Sequence, residues 1–273
     1  MPRRILFAVA LAAMIMAACG GSSAAPALTD PKDILVHAAS SIQTLKTVHL
    51  KATLAGKIDS GAVSGKPTGA LVDLAGSTLE GDLDAAGREA KLSASMPSML
   101  ALSADFVLDA GTIYLKTSLT GALFQKLDLA ALTGALPLPS LPTAASPDPS
   151  AQAAMIASLK TELDKLPAPV KLADEKIGDQ DCYHVQSKLS STDVPQVGST
   201  LGNVSGTLTV DVWTRKSDYR PARLVIAVDG GTAGTATITV DLTAYDAAVT
   251  IAAPPADQIS DKPFTFPGMP TLP

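Results

Sequence analysis

Hydrophobic and polar residues alternate along two adjoining stretches near the middle of the chain. Between residues 100 and 108 every second position is apolar, and the alternation resumes between residues 113 and 119. The short connection 109–111 contains a glycine, which tight turns favour. Two alternating runs joined in this way predict a β-hairpin with one apolar face.

The same period-two pattern recurs on both sides of this hairpin. It is clearest from residue 48 to 58, where Val48, Leu50, Ala52 and Leu54 alternate with polar residues. Further strands are predicted at 78–84, 88–95, 170–177, 182–190, 207–215, 223–229 and 235–245. The pattern therefore predicts about nine or ten antiparallel strands, each with one apolar and one polar face.

Two segments show the helical period instead. The first runs from residue 28 to 46, with Asp30 as a plausible N-cap and Pro31 at the first helical position. A second Asp-Pro pair at 148–149 precedes another helical pattern, which ends at the prolines 167 and 169. Between the strands and the second helix, the prolines of segment 137–150 predict an extended surface insertion.

The predicted sheet is too wide for its predicted cover. Nine or so strands span on the order of 45 Å, and two helices of about 10 Å diameter cannot cover that width. A filled sandwich, an internal cavity and an exposed apolar patch are the three alternatives. Aromatic residues make up only 4% of the chain, which favours the cavity because bulky rings would help to fill such a space.

The amino terminus predicts export and lipidation. Arg3 and Arg4 precede an apolar run, and the sequence MAAC ends at Cys19, as in a bacterial lipobox. We expect a signal peptide over residues 1–18, acylation of Cys19, and a flexible tether over residues 19–29. The alternative is an ordinary secreted protein with a chance cysteine at this position.

Charge and cysteine content narrow the choice of partners. The formal net charge is -5, and cleavage before Cys19 would remove two arginines and bring it to -7. An acidic domain argues against nucleic acid and against electrostatic binding to anionic membranes. With Cys19 acylated, Cys182 would have no partner for a disulfide.

Catalytic and metal-binding patterns are absent from the sequence. His37, His49 and His184 do not have metal-ligand spacing, and the C-x-H pair of Cys182 and His184 more often belongs to an ordinary strand. There is no G-x-S-x-G, P-loop or dinucleotide fingerprint. We therefore predict no enzyme activity, no metal site and no cofactor.

Several segments taken in order resemble a known family. They are the lipobox, TVHLKATLAGKI, STLEGDLD, LALSADFVLDAGTIYLK, GDQDCYHVQSKL and LTVDVWTRKSDYRPARLVIAVDG. This order resembles the LppX/LprAFG family of actinobacterial cell-envelope lipoproteins over about residues 30–249, and more broadly the LolA/LolB type of lipoprotein carrier. The resemblance implies an α+β fold, in which a strongly curved antiparallel half-barrel packs over a few helices and encloses an apolar cavity.

The resemblance also implies a function. Such a protein binds acylated lipid or glycolipid in its cavity and carries or presents it in the cell envelope, with an envelope transporter as a candidate partner. The chain would be anchored through Cys19 to the extracytoplasmic face of the cell membrane, with one lipid-binding domain over 30–252 and a Pro-rich tail over 253–273. The predicted cavity residues on the strands are Val48, Leu50, Leu54, Leu102, Phe106, Leu108, Ile113, Leu115, Leu208, Val210 and Val212. Those on the helices are Ile34, Ile42, Met155, Ile156 and Leu159.

Plain core packing is the alternative role for each of these residues, and the register of any one strand could be inverted. The sequence is also compatible with two other functions. One is a tethered structural or interaction domain with a filled core and no lipid. The other is an envelope hydrolase, for which His184 would be the residue to test.

Overall fold

The computed structural model describes residues 26–61, 68–98, 101–128, 149–190, 193 and 206–261. The predicted signal peptide, Cys19, most of the Pro-rich insertion and the end of the tail lie outside these ranges. Within them, two helices accompany one large antiparallel sheet: α1 (Pro31–Ile42) and α2 (Pro149–Lys165). No helix of this part of the chain is both long enough and apolar enough to span a membrane.

The strands of the sheet are β1 (Thr47–Asp59), β2 (Leu71–Asp73), β3 (Ser77–Asp84), β4 (Glu89–Met96), β5 (Leu102–Asp109), β6 (Thr112–Thr117), β7 (Gln125–Asp128), β8 (Val170–Lys171), β9 (Glu175–Ile177), β10 (Gln180–Ser190), β11 (Thr207–Arg215), β12 (Pro221–Asp229) and β13 (Gly234–Thr243). Their order across the sheet is β7-β6-β5-β4-β3-β1-β13-β12-β11-β10-β8, with β2 paired to β1 and β9 to β10. The sheet is open, because β7 and β8 form two separate edges.

The α+β class and the curved antiparallel sheet are confirmed, whereas the enclosed cavity stays a prediction. The expected number of strands was too low: the described ranges contain thirteen. The additional strands are short ones. β2 and β7 lie in segments without clear alternation, and the single strand expected over 170–177 is divided into β8 and β9.

The predicted hairpin is β5–β6. Its two central turn residues, Ala110 and Gly111, have φ values of 47° and 77°. Positive φ at both positions is the geometry of the type I′ turn, whose twist matches that of paired strands. The turn fixes the register Leu108↔Ile113 and Phe106↔Leu115, so the apolar residues of both strands project from the same side.

Helix α1 begins where the sequence predicts. The Asp30 side chain accepts hydrogen bonds from the backbone N–H groups of Lys32, at 2.7 Å, and Asp33, at 3.4 Å. These bonds satisfy donors that have no partner inside the helix. The helix ends at Ile42, earlier than the expected residue 46.

The helices lie at one end of the sheet. Helix α1 packs on β10 and β11, where Ile34 is fully buried against Tyr183 and Val185. Helix α2 packs on α1, with an ion pair from Lys32 to Asp164. None of the side chains described in α2 is fully buried. Helix α1, with α2 packed on it, therefore lies over the β10–β11 end, and most of the sheet is left to be covered by other means.

The segment that follows β13 crosses the opposite side of the sheet. Ile251 packs with Val107, Tyr114 and Phe124 in a small buried cluster. The backbone of Phe124 donates to Gln258 O at 2.8 Å and accepts from the N–H of Ser260 at 2.7 Å. This segment covers the apolar residues that β5 and β6 place on their otherwise polar side.

Candidate functional site: the inner face of the sheet

Cross-strand register brings the apolar residues of distant strands onto one face. Between β1 and β13, Leu50 lies opposite Leu242 and Leu54 opposite Ile238. Residues directly opposite each other in an antiparallel pair project from the same side of the sheet. The apolar positions of β1 and β13 are therefore neighbours, although almost two hundred residues of chain separate them.

On the other edge of β1, one row of partners continues to β6. Leu50 lies opposite Gly81 of β3, Gly81 opposite Leu92 of β4, Leu92 opposite Phe106 of β5, and Phe106 opposite Leu115 of β6. These five positions form one apolar row across five strands. Gly81 is the only member without a side chain, so the row has a depression between Leu50 and Leu92.

The C-terminal half contributes a second set of rows. Ile238 of β13 lies opposite Ile226 of β12, and Ile226 lies opposite Val210 of β11. Together with the row above, the apolar surface extends over eight adjacent strands, from β11 to β6. At roughly 4.8 Å per strand spacing, its width is on the order of 34 Å. We call this surface the inner face.

Most of the large side chains of the inner face are only half-buried. Phe106, Leu115, Ile226 and Val240 all retain part of their surface in contact with solvent, and the same is true of Leu54. Soluble monomers rarely expose contiguous apolar patches of more than a few hundred Å² without a functional reason. The inner face is therefore the best candidate for a binding site in the described part of the chain.

All the strand residues that the sequence predicted for the cavity lie on the inner face. Val48 is buried, and the other members are half-buried: Leu50, Leu54, Leu102, Phe106, Leu108, Ile113, Leu115, Leu208, Val210 and Val212. The sequence left open that a strand could turn these residues to the opposite face, and none of their strands does so. Their role as lipid contacts stays a prediction.

The predicted helix residues have more varied surroundings. Ile34 is fully buried beneath α1, whereas Ile42 at the end of that helix is 48% exposed. Ile156 and Leu159 are half-buried in α2. Met155 belongs to the same helix, and its side chain lies outside the described set. The structure thus gathers the strand residues on one surface and does not gather all the helix residues with them.

The sequence prediction omitted several further aliphatic residues of the same face. Those on β3, β4 and β13 alternate with polar residues just as the chosen ones do, whereas those on β12 alternate with Val225 and Ala227 and gave no such signal. They are Leu79, Leu83, Leu92, Leu224, Ile226, Val228, Ile238, Val240 and Leu242.

Charge is confined to the outer face. Lys51 pairs with Glu80 at 2.9 Å, and Lys116 pairs with Asp105 at 2.7 Å. The hydrogen bond from Lys51 lowers the pKa of Glu80, and the hydrogen bond from Lys116 lowers that of Asp105. Neither lysine stands at an inner-face position. Because the inner face has no charged residues, an apolar ligand can cover it without burying a charge.

His184 lies in a polar cluster away from the inner face. His184 is on the outer face, with Nε2 at 2.7 Å from Asp211 and its ring stacked on Trp213 at 4.1 Å. Burial raises the pKa of the nearby Cys182, which favours the unreactive thiol. In the described ranges, no three His, Cys, Asp or Glu side chains come close enough together to hold a metal ion.

Comparison with solved structures places this fold among known lipoproteins. The crystal structure of LprF from Mycobacterium bovis matches with a TM-score of 0.51 and 15% identity, over 82% of this chain and 96% of that one. The Mycobacterium tuberculosis lipoprotein LppX matches with a TM-score of 0.51 and 12% identity, over 81% and 98%. The resemblance to the LppX/LprAFG family is thus confirmed at the level of the fold.

A third structure is more distant. The putative outer membrane lipoprotein-sorting protein domain from Vibrio parahaemolyticus has a TM-score of only 0.27 and 11% identity, over 81% of this chain and 95% of that one. It carries no argument at that level. No protein-family model matches the chain, and no curated protein sequence matches it.

Proposed function

We propose that this chain is an envelope lipoprotein that binds an acylated lipid or glycolipid against its inner face and carries or presents it. One observation carries the proposal: an aliphatic surface eight strands wide stays half-exposed, with the two helices at one end of it. The likeness to LprF and LppX supports the fold on which the proposal rests. The proposed role of this surface is binding without catalysis.

The energetics favour alkyl chains as the ligand. Each CH₂ group that leaves water contributes about 0.8 kcal/mol, so one long acyl chain supplies ample binding energy without any charge. Aliphatic side chains such as Leu54, Leu92 and Ile226 adapt to a flexible chain, and Phe106 is the only aromatic residue among the inner-face positions named above. In this proposal, ligand binding completes the cover of the inner face and closes an apolar cavity.

The helices would form the other wall of that cavity. Ile34 already fixes α1 to the sheet, and small shifts of α1 and α2 would bring further side chains toward a bound lipid. The helix residues in this proposal are Ile34, Ile42, Met155, Ile156 and Leu159. Movement of the same helices would open the cavity for release to an acceptor membrane or to an envelope transporter.

The anchor belongs to the proposal as well. Residues 1–18 would be removed as a signal peptide, and acylation of Cys19 would hold the domain at the extracytoplasmic face of the cell membrane. Residues 19–29 would then act as the tether. Metabolic labelling with a palmitate analogue tests this part, since the label should be present in the wild type and absent from Cys19→Ala.

Lipid binding is tested on the chain without residues 1–18 and with Cys19→Ala, so that any lipid found is a ligand and neither an anchor nor bound to a signal peptide. Native mass spectrometry and solvent extraction are applied after expression in an actinobacterial host. We expect a discrete lipid adduct that is lost in Phe106→Lys, because a charge on the inner face cannot be solvated beneath an alkyl chain.

Ser95→Lys is the matched control. Ser95 is exposed on the outer face of the neighbouring strand β4, and the substitution changes the net charge by the same amount. This variant should keep the adduct. An adduct that survives Phe106→Lys would move the site elsewhere, and a lipid-free protein that takes up no fluorescent acyl probe would favour the tethered interaction domain.

A further inference from the structure

A buried polar atom without a partner lies on the inner face. Gln125 is the first residue of β7, and its side-chain oxygen Oε1 is buried and accepts no hydrogen bond. Leaving a buried acceptor unpaired is costly, and native proteins contain few such groups. The position of this oxygen therefore calls for a functional explanation.

The register shows which side of the sheet Gln125 faces. It lies opposite Leu115, whose other neighbour in the row is Phe106. The adjacent residue Lys126 lies opposite Tyr114, which belongs to the buried cluster of the outer face. Gln125 thus extends the apolar row by one position and ends it with an amide at the β7 edge.

The other buried unpaired side-chain atoms of the described ranges lie elsewhere. Gln43 follows α1, and His184 is on the outer face. Thr214 is fully buried at the end of the sheet where α1 packs. Gln125 is therefore the member of this set whose half-exposed side chain stands in the apolar row of the open inner face.

We propose that the half-exposed Gln125 side chain turns its amide toward the bound lipid, so that Oε1 accepts a hydrogen bond from a free hydroxyl group of that lipid. A carbonyl-type oxygen can pair only with a donor, and neither an alkyl chain nor an ester group supplies one. The ligand class that fits is an acyl lipid with a free hydroxyl close to its chains, such as a diacylglycerol or a glycolipid, rather than a fully esterified triacylglycerol. The hydroxyl end of the ligand then lies at the β7 edge, and its chains lie across β6, β5 and β4.

This inference rests on the proposed function, and the experiment separates the two. The chain without residues 1–18 and with Cys19→Ala is first loaded with a fluorescent fatty-acyl probe. Dioleoylglycerol and its methyl ether, in which the hydroxyl is capped, then compete with that probe. We expect the wild-type protein to bind dioleoylglycerol about fivefold to tenfold more tightly than its methyl ether. This ratio is the usual net contribution of one hydrogen bond.

The decisive variant is Gln125→Met, which keeps the length of the side chain and removes the acceptor. It should bind both compounds equally. Lys126→Met is the matched control on the outer side of the same strand and should retain the preference. Equal affinities in the wild type, or a preference that persists in Gln125→Met, would overturn the inference and leave lipid binding intact.

Two further results complete the test. If the acyl probe is not bound at all, the proposed function fails and this inference fails with it. Without ligand, Gln125→Met should melt at the same temperature as the wild type or higher, because an unpaired buried oxygen has been removed. A clearly lower melting temperature would show that the oxygen is already paired in the free protein, and would also overturn the inference.

Discussion

Replacing Ile34 by alanine tests whether α1 is fixed to the sheet through one buried side chain. Ile34 has no exposed surface and packs against Tyr183 and Val185. The substitution removes three carbon groups, worth about 2.4 kcal/mol of transfer free energy. A partly collapsed cavity adds about 1 kcal/mol, so the free energy of unfolding should fall by about 3.5 kcal/mol.

Ile42→Ala on the same helix is the control. The Ile42 side chain is 48% exposed, so its truncation should cost only about 1 kcal/mol. Both variants have the same change in helix propensity, and the difference between them isolates burial. Urea unfolding, followed by the fluorescence of the single tryptophan Trp213 and by circular dichroism, measures both values.

With a denaturant slope of about 2.5 kcal/mol/M, the midpoint should fall by roughly 1.4 M in Ile34→Ala and by roughly 0.4 M in Ile42→Ala. Coincident transitions by the two probes are required for these values to be compared. Equal shifts in the two variants would refute the assignment of Ile34 to the core that holds α1 on β10. They would also remove the reason for placing the helices at that end of the sheet.

Three further predictions concern single sites. Gly56→Ala should lower the free energy of unfolding by about 2 kcal/mol or more, because a Cβ at φ +112° would lie 2.2 Å from the carbonyl oxygen of Thr235. Gly69→Ala is the control: its φ is +75° but no atom lies within 4 Å of the added Cβ, so the free energy of unfolding should fall by only about 1 kcal/mol. Equal losses in the two variants would contradict the close approach at Gly56. Burial raises the pKa of Tyr245 from 10.0 to about 12, so its contribution to stability is complete below pH 10 and is lost as the pH rises toward 12. The urea midpoint should therefore fall more steeply with pH over this range in the wild type than in Tyr245→Phe. Parallel curves would argue against burial of the hydroxyl. The backbone N–H groups of Thr68 and Gly69 donate to the Asp59 carboxylate and lower its pKa. Protection of these two amides against hydrogen exchange should therefore be lost as the pH falls through that lowered pKa, and it should already be lost at neutral pH in Asp59→Ala. Protection that survives in the variant would show that the carboxylate is not the acceptor.

Several parts of this fold could be predicted from local pattern. The alternation around Leu50 and Phe106 identified the apolar side of β1 and β5, because side chains of a strand alternate whatever the strand pairs with. Asp30 and Pro31 marked the start of α1, because capping involves only neighbouring residues. The short strands β2, β7, β8 and β9 were missed or merged, since two to four residues are too few to show a period.

The candidate site is a different case. Most of its residues were visible in the alternation, but Gln125 gave no signal, because a single polar residue in an irregular apolar stretch is ordinary in sequence. Only the pairing of β7 with β6 places it beside Leu115 on the inner face. Likewise, Val107 and Tyr114 interrupt the polar side of their strands, and only the segment around Ile251 explains them by covering them.

The sequence by itself thus determined which residues of each strand share a side, where α1 begins, and that the apolar surface exceeds the cover that two helices can give. These are properties of short segments and of composition, and they do not depend on chain topology. The tertiary structure alone decided that β1 lies between β3 and β13, that eight strands form one continuous inner face, and that α1 packs on the sheet only at β10 and β11. Such pairings join residues as distant as Leu50 and Leu242, and they are selected by the packing of the whole chain rather than by any local pattern.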